Sequence, residues 1–431
     1  MPPASMPDAP IGSLAGKRLL IVEEALKDFV GHWYEYVKAV AELSTAAGAE
    51  VEVVGHTGAS ETLRSKSGVH PLFPRTLWDG DYRHGFAVWR KLGLVRHNWL
   101  VFGTMRRFLR AHGPFDVTFV PTVVGHHIWA WRVLSLLYPR RIGRLVLLIR
   151  NNAATYAPGS TVPTFNRAAI LLKWGLRSFA RDIEAGRVVF ATDSARLADE
   201  YRQLAGQTPV VFPSPRVAPP AVAAPPAAIV PPATIVEGGR DPSAPLLFAC
   251  LGPARFEKGI DVLQQAIALY LANPANPAAR FAIQWPRPIE DANGAPYPPD
   301  GGLAASGRVD FLDQPLDSAQ YDALLASTDC MVLPYRRSSY FARISGVAVE
   351  AVTGGIPVIS TSDTWTADLV AKSGAGLAVD DGDALGLAAA MAALARDYPR
   401  WRSEAEAARA GAQAAHSGGE FLEKLWGQPV S

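Results

Sequence analysis

The sequence predicts an α/β protein made of two doubly wound, Rossmann-like domains that face each other across a crevice. Short apolar, β-branched runs alternate with stretches of helical period along most of the chain, the rhythm of parallel sheets covered by helices. The rhythm breaks once, between Pro213 and Pro245, where ten of 33 residues are proline. The length of 431 residues suits two domains of ordinary size.

Taken in order, residues 1–16 form a tail of Pro, Ala, Ser and Gly. It has neither a basic start nor an apolar h-region, so it is expected to be disordered and not a secretory signal. The first domain, residues 17–212, is expected to place strands at 18–22, 51–54, 117–120, 145–149, 188–191 and 210–212. Between the first two, Trp33, Tyr36, Val37, Val40 and Leu43 recur at helical spacing and Gly48 ends the run, which gives a β-α-β unit. Residues 213–245 read as an extended linker, because proline removes backbone donors and locks φ. The second domain, residues 246–400, repeats the pattern with strands at 246–251, 281–284, 309–312, 330–333, 357–360 and 377–379. Ile260, Leu263, Ile267 and Tyr270 mark one of its helices. Residues 401–431 are expected to be helices packing back on the N-terminal domain.

Composition narrows the class. With 49% apolar and 19% charged residues, the chain is neither disordered nor collagenous nor a coiled coil. No run of 18 apolar residues occurs, so no membrane-spanning helix is expected. Cys250 and Cys330 sit in apolar runs and read as buried reduced thiols of a cytoplasmic protein. The net charge of +2 divides unevenly: residues 1–212 hold 26 Lys and Arg against 17 Asp and Glu, and the remainder is net negative. The basic half also holds seven of the eleven tryptophans. Such a face suits an anionic membrane surface or phosphorylated lipid, with the stretch 75–112 (Trp78, Trp89, Trp99 among arginines) the first suspect. Solvated cations and core tryptophans explain the same counts equally well.

Two stretches carry the chemistry of an anion site. Gly252-Pro253-Ala254-Arg255-Phe256-Glu257-Lys258-Gly259 leaves a strand and enters a helix, so Arg255 and Lys258 lie at the positive end of a helix, where a phosphate is stabilised. The second runs from Pro334 to Gly346 and on to Ile359. There Ser345 can cap a helix, Gly346 lets a phosphate approach exposed N–H groups, and Glu350 lies one turn further on among apolar neighbours. A carboxylate in that setting needs partners, and the hydroxyl pair of a ribose is one.

Together these stretches resemble the GT-B glycosyltransferases, and within them family 4, the retaining enzymes that use nucleotide sugars. The resemblance rests on Gly252 with Lys258-Gly259, on Glu350-Ala351 with Gly355-Ile356-Pro357-Val358-Ile359, and on Gly374-Ala375-Gly376-Leu377. It implies a nucleotide-diphosphate sugar held mainly by the second domain, with Lys258 and Arg255 on the diphosphate and Glu350 on the ribose. Two departures stand out: Ala342 occupies the place of the family's first glutamate, and Pro253 the place of its arginine. Arg343 is read as supplying some of the missing polar contacts. In the first domain Gly31-His32 stands where the family places an acceptor and phosphate loop. His126 and His127 follow the strand at 117–120 and would act near the leaving group, or else form a capping or surface pair. Gln284 and Leu312 are expected near the base.

The expected activity is retaining transfer of a hexose-type sugar to a glycan or lipid-linked glycan, as in polysaccharide or glycolipid synthesis. No metal or other cofactor is expected, since Asp79-Gly80-Asp81 and Asp381-Gly382-Asp383 read as turns. No nucleic-acid partner is expected either. The protein is expected in the cytoplasm, peripheral at the inner face of the membrane. The alternatives are a sugar-nucleotide epimerase or phosphorylase on the same fold, and a degenerate, non-catalytic GT-B module.

Overall fold

The computed structural model describes residues 13–28, 32–76, 87–125, 127–157, 159–215, 235–236, 239–240, 244–373 and 375–427. Residues 1–12 of the tail, most of the linker, Gly31, Trp78, Asp79, Asp81, His126 and Gly374 lie outside them, as do the side chains of His32 and Trp89. The chain divides into two compact units. One comprises residues 1–155, 163–217 and 416–431; the other comprises 156–162 and 218–415.

The first unit holds a seven-stranded parallel sheet in the order Val69–Phe73, Glu50–His56, Arg18–Val22, Val117–Val120, Arg144–Ile149, Val188–Thr192, Val210–Val211. The inner strands are buried on both faces, which is why they read as continuous apolar runs. Val69–Phe73 escaped the sequence reading. It is buried at its two ends and exposed at Pro71 in its middle, a proline tolerated here because the strand lies at the sheet edge.

One face of this sheet carries a core of Leu19, Ile21, Tyr36, Val40 and Phe119, closed by Phe421, Leu422 and Leu425 from the C-terminal helix Gly418–Trp426. Phe421 meets Tyr36, Phe119 and Phe212 edge-on, with centroids 6.2, 5.9 and 5.4 Å away. The preceding helix Tyr398–Ala415 belongs to the second unit, so the expected block 401–431 divides after residue 415. The physical reason is in the faces: Gly418–Trp426 presents large apolar residues to the first core, while the longer helix has Ala405 as its buried residue.

The second unit holds a six-stranded parallel sheet in the order Val309–Leu312, Ala279–Gln284, Leu246–Cys250, Cys330–Leu333, Val358–Thr361, Gly376–Val379. Gly376 is required there, since a Cβ would stand 1.8 Å from the Val358 carbonyl. The segment 156–162 packs into this unit: Tyr156 lies on Phe341 at 4.3 Å, and Arg337 donates to the carbonyls of Ala157 and Ser160.

Each sheet reverses its strand order once, between Arg18–Val22 and Val117–Val120 in the first and between Leu246–Cys250 and Cys330–Leu333 in the second. Ligands of doubly wound sheets bind beyond the carboxyl ends of strands at such reversals.

Candidate functional site

In the second unit, the loops that leave the two central strands are the two stretches singled out by sequence. Gly252, at φ +77°, turns the chain sharply, and its N–H donates to Gln284 Oε1 at 2.6 Å. The Ala254 N–H donates to the Gln284 carbonyl at 2.9 Å. Gln284 therefore braces this loop, and its carbonyl is already engaged; the Leu312 carbonyl likewise accepts from the Trp285 N–H at 2.7 Å. Those two carbonyls tie down the loops at the ends of their strands, the region where a base is expected.

A single turn of 3-10 helix, Phe256–Lys258, then delivers Lys258, and Gly259 ends it at φ +66°. A Cβ on Gly259 would stand 1.8 Å from the Pro334 carbonyl, so glycine is what lets this turn seat on the end of the neighbouring strand. A Cβ on Gly252 would fall 2.8 Å from Lys258 Nζ and 3.4 Å from Val347. The missing side chain thus leaves room for the ammonium beside the first turn of helix Gly346–Thr353. Lys258 is only 5% exposed. Burial pushes its pKa down to about 8, with the neighbouring Arg255 cation adding to the effect.

Two more cations gather around Glu257. Its Oε1 lies 3.1 Å from Arg255 Nη1 and 3.5 Å from Arg343 Nη1, and Arg343 also stacks over Tyr340 at 4.9 Å. Ser345 caps helix Gly346–Thr353, accepting from the Ala348 N–H at 3.2 Å, and its hydroxyl lies 3.4 Å from that of Tyr335. Gly346 is exposed, leaving the helix start approachable. Lys258, Arg255, Arg343 and this helix end all belong to the loops of the sheet reversal. Sequence reasoning missed the bridging carboxylate of Glu257, although its place between Arg255 and Lys258 was visible.

Glu350 is partly buried and accepts a short hydrogen bond from the Tyr321 hydroxyl, a partner 29 residues upstream that no local pattern announced. Ala342 is fully buried. The Asp381 and Asp383 carboxylates are engaged in structural contacts: Asp381 accepts from the Arg337 N–H at 3.1 Å, and Asp383 caps the helix Ala384–Arg396.

The reversal in the first unit is chemically different. Glu23 and Glu24 follow the strand Arg18–Val22, and Thr122 and His127 follow Val117–Val120. His127 is buried; its Nε2 accepts from the Val124 N–H at 3.4 Å, while its Nδ1 lies 3.8 Å from Glu24 Oε2. The fully buried His97 approaches the same oxygen to 3.0 Å. Burial raises the Glu24 carboxyl, and hydrogen bonds and charge from His127 and His97 outweigh it, leaving the group well below the ordinary range. Glu23 has no imidazole, and burial lifts it to about 7 against hydrogen bonds from Thr122 and the Ala25 N–H. A small cavity lined by Val22, Glu24, Thr122 and His127 has room for about one water.

Two groups in this unit bring three ligand-type atoms within 4.8 Å of one another: Glu24, His97, His127 and Glu52, His70, His112. In the first, one carboxylate oxygen of Glu24 lies between two imidazoles, 3.0 Å from His97 Nε2 and 3.8 Å from His127 Nδ1. In the second, Glu52 is held by Arg18 at 2.5 Å, an ordinary ion-pair cluster at the opposite ends of the strands. Of the residues expected in the first domain, the structure thus places His127 at the sheet reversal; Gly31 and His126 fall outside the described residues, and His32 opens the helix His32–Ala46.

Comparison with known proteins bears on the second unit and on the fold. Residues 245–397 match the family model of glycosyl transferases group 1. Among solved structures, sucrose-phosphate synthase from Thermosynechococcus elongatus is similar over 95% of this chain and 97% of its own, with 16% identity and a TM-score of 0.64. HepE from Anabaena, solved in complex with UDP-glucose, is similar over 95% and 98% with 14% identity and a TM-score of 0.58. WaaG, a glycosyltransferase involved in lipopolysaccharide biosynthesis, is similar over 96% and 98% with 14% identity and a TM-score of 0.53. No curated protein matches the chain by sequence. The fold is GT-B. The second unit carries the glycosyl transferases group 1 domain, and the protein is a glycosyltransferase.

Proposed function

We propose that this glycosyltransferase takes its sugar from a nucleotide-diphosphate donor bound by the second unit. The observation that carries the reading is the convergence of buried Lys258, Arg255 and Arg343 with the Ser345-capped helix start on loops of one sheet reversal. The similar HepE structures contain UDP and UDP-glucose, which supports the same class of donor. Catalysis is then electrostatic: the cations and helix N–H groups stabilise the departing diphosphate in a site where burial strengthens each charge. A low-pKa lysine suits the task, because the arriving phosphate draws its proton into full use. Glu350, oriented by Tyr321, is assigned to the ribose hydroxyls.

Transfer with retention, from a hexose-type donor to a glycan or lipid-linked glycan, is the finer reading, and it places the protein peripherally at a membrane. It has one specific rival. Ala342 offers no carboxylate to the transferred sugar, which favours a module that binds nucleotide without turnover. Nucleotide release from a panel of nucleotide sugars, with and without acceptors, separates the two. Binding without release would establish the module; release with the product anomer of the donor's configuration establishes retention. Equal affinity for ribose and dideoxyribose diphosphates would remove Glu350 from the ribose.

A further inference from the structure

Three helices of the first unit are apolar on the side turned away from its core. Ala87–His112 buries Val101, Met105 and Leu109 and exposes Leu92, Val95 and Trp99, spaced three and four residues apart on another side. Ile128–Leu137 buries Ile128, Trp131 and Leu134, yet Trp129, Val133, Leu136 and Leu137 are exposed, Leu137 by 59%. A helix apolar all round is normally covered all round; this one is covered on one side. Arg167–Arg177 repeats the arrangement, with Leu172 and Leu176 inside and Ile170, Leu171 and Trp174 outside. Ile128–Leu137 packs against both of the others. Asn98 accepts from the Ala130 N–H at 2.9 Å, fixing the first helix against the start of the second. The three helices thus neighbour one another, and large apolar side chains exposed together on adjacent helices mark an interaction site.

Charge identifies the occupant. None of the three helices contains an Asp or Glu. Arg96, Arg106, Arg167 and Arg177 are exposed on them, and Arg140 follows in the next turn. A second copy is disfavoured, since a two-fold contact would set like charges against like. Tryptophan and leucine amid arginine is the composition of a face lying in a lipid headgroup region.

We propose that this three-helix face docks on an anionic bilayer, with Trp99, Trp129, Leu137 and Trp174 entering the headgroup region and the arginines meeting lipid phosphates. The proposal deepens the membrane part of the reading above, resting on it only for the meaning of the docking. It moves the expected contact from the stretch 75–112 alone to a surface of three helices.

The test uses the full chain with vesicles of phosphatidylcholine alone or mixed with phosphatidylglycerol, read by co-sedimentation and by the blue shift of tryptophan emission. At low salt, partitioning onto the anionic vesicles should exceed that onto neutral ones at least tenfold and fall as salt rises. The pairs Leu137→Ser with Trp174→Ser, and Arg140→Glu with Arg167→Glu, should each lower it at least tenfold with unchanged thermal unfolding and unchanged nucleoside diphosphate affinity. Folded variants that bind like the wild type overturn the proposal, as does wild type without anionic preference. A wild-type dimer that the apolar pair makes monomeric also overturns it, by showing a self-interface. A failure to bind any nucleotide would strike the donor reading and leave the vesicle result to decide this one.

Discussion

Lys258→Met tests the donor site at its most exposed point of argument. The substitution keeps a stem of similar length and removes the charge. In the folded chain burial holds the lysine at about 8, against 10.5 for a free one. At about 1.4 kcal/mol per pH unit, the folded state carries a penalty on the order of 3 kcal/mol for keeping this ammonium charged. The unfolded chain holds the proton up to about pH 10.5 and the folded chain releases it near 8, so stability rises with pH between those values and the penalty is complete below 8. The methionine variant should therefore be more stable than wild type at pH 6.5, by up to about 3 kcal/mol, with the advantage shrinking above pH 8. It should also bind nucleoside diphosphates more weakly by about 1.5–3 kcal/mol, the usual value of a charge-assisted hydrogen bond. Urea unfolding at pH 6.5 and 9.5, with calorimetric titration of a nucleoside diphosphate, reads both. A pH-independent stability difference together with unchanged affinity would refute the assignment of a desolvated cation to the phosphate.

Other groups give further expectations. Glu23 is raised to about 7, so between pH 4.5 and 7 the folded chain holds a proton that the unfolded chain has lost, and stability falls as pH rises through that window. Glu23→Gln should match wild type near pH 4 and be more stable at pH 8, by up to about 3 kcal/mol; thermal unfolding at the two pH values checks it. Ser345→Ala removes the cap of helix Gly346–Thr353 and should cost about 1 kcal/mol in urea unfolding, with a loss of nucleotide affinity that a purely structural cap would not produce. Cys250 and Cys330 are buried, and burial raises both thiols, Cys250 to about 11. A disulfide reagent at pH 8 should label neither in the folded chain and both in urea.

The sheets were legible because their inner strands are covered on both faces and so leave unbroken apolar runs. The edge strand Val69–Phe73 is buried only at its ends, and Pro71 argued against it, so nothing local marked it. The glycines singled out in the second domain were legible because they answer to backbone geometry: Gly259 and Gly376 stand where any Cβ would strike a carbonyl. What escaped were contacts between segments far apart in sequence. Tyr321 reaches Glu350 from another helix, and His97 reaches Glu24 across 73 positions of chain. A side chain whose partner is set by tertiary packing carries no periodic or positional signature.

The charge division by halves describes surfaces rather than sites, since a bound anion responds to the groups within a few ångströms of it. The half with the net negative charge contains the cation cluster of Arg255, Lys258 and Arg343, and the carboxylates of that half beyond about 8–10 Å are screened from it. The basic half contains, at its own sheet reversal, two buried glutamates and two imidazoles. Its surplus of arginine lies instead on outer helices beside exposed tryptophan. One topology thus supplies two loop clusters of opposite chemistry. On the reading proposed above, the cationic cluster meets a leaving group that departs with negative charge, while the carboxylate and imidazole cluster has the chemistry to hydrogen-bond neutral hydroxyls.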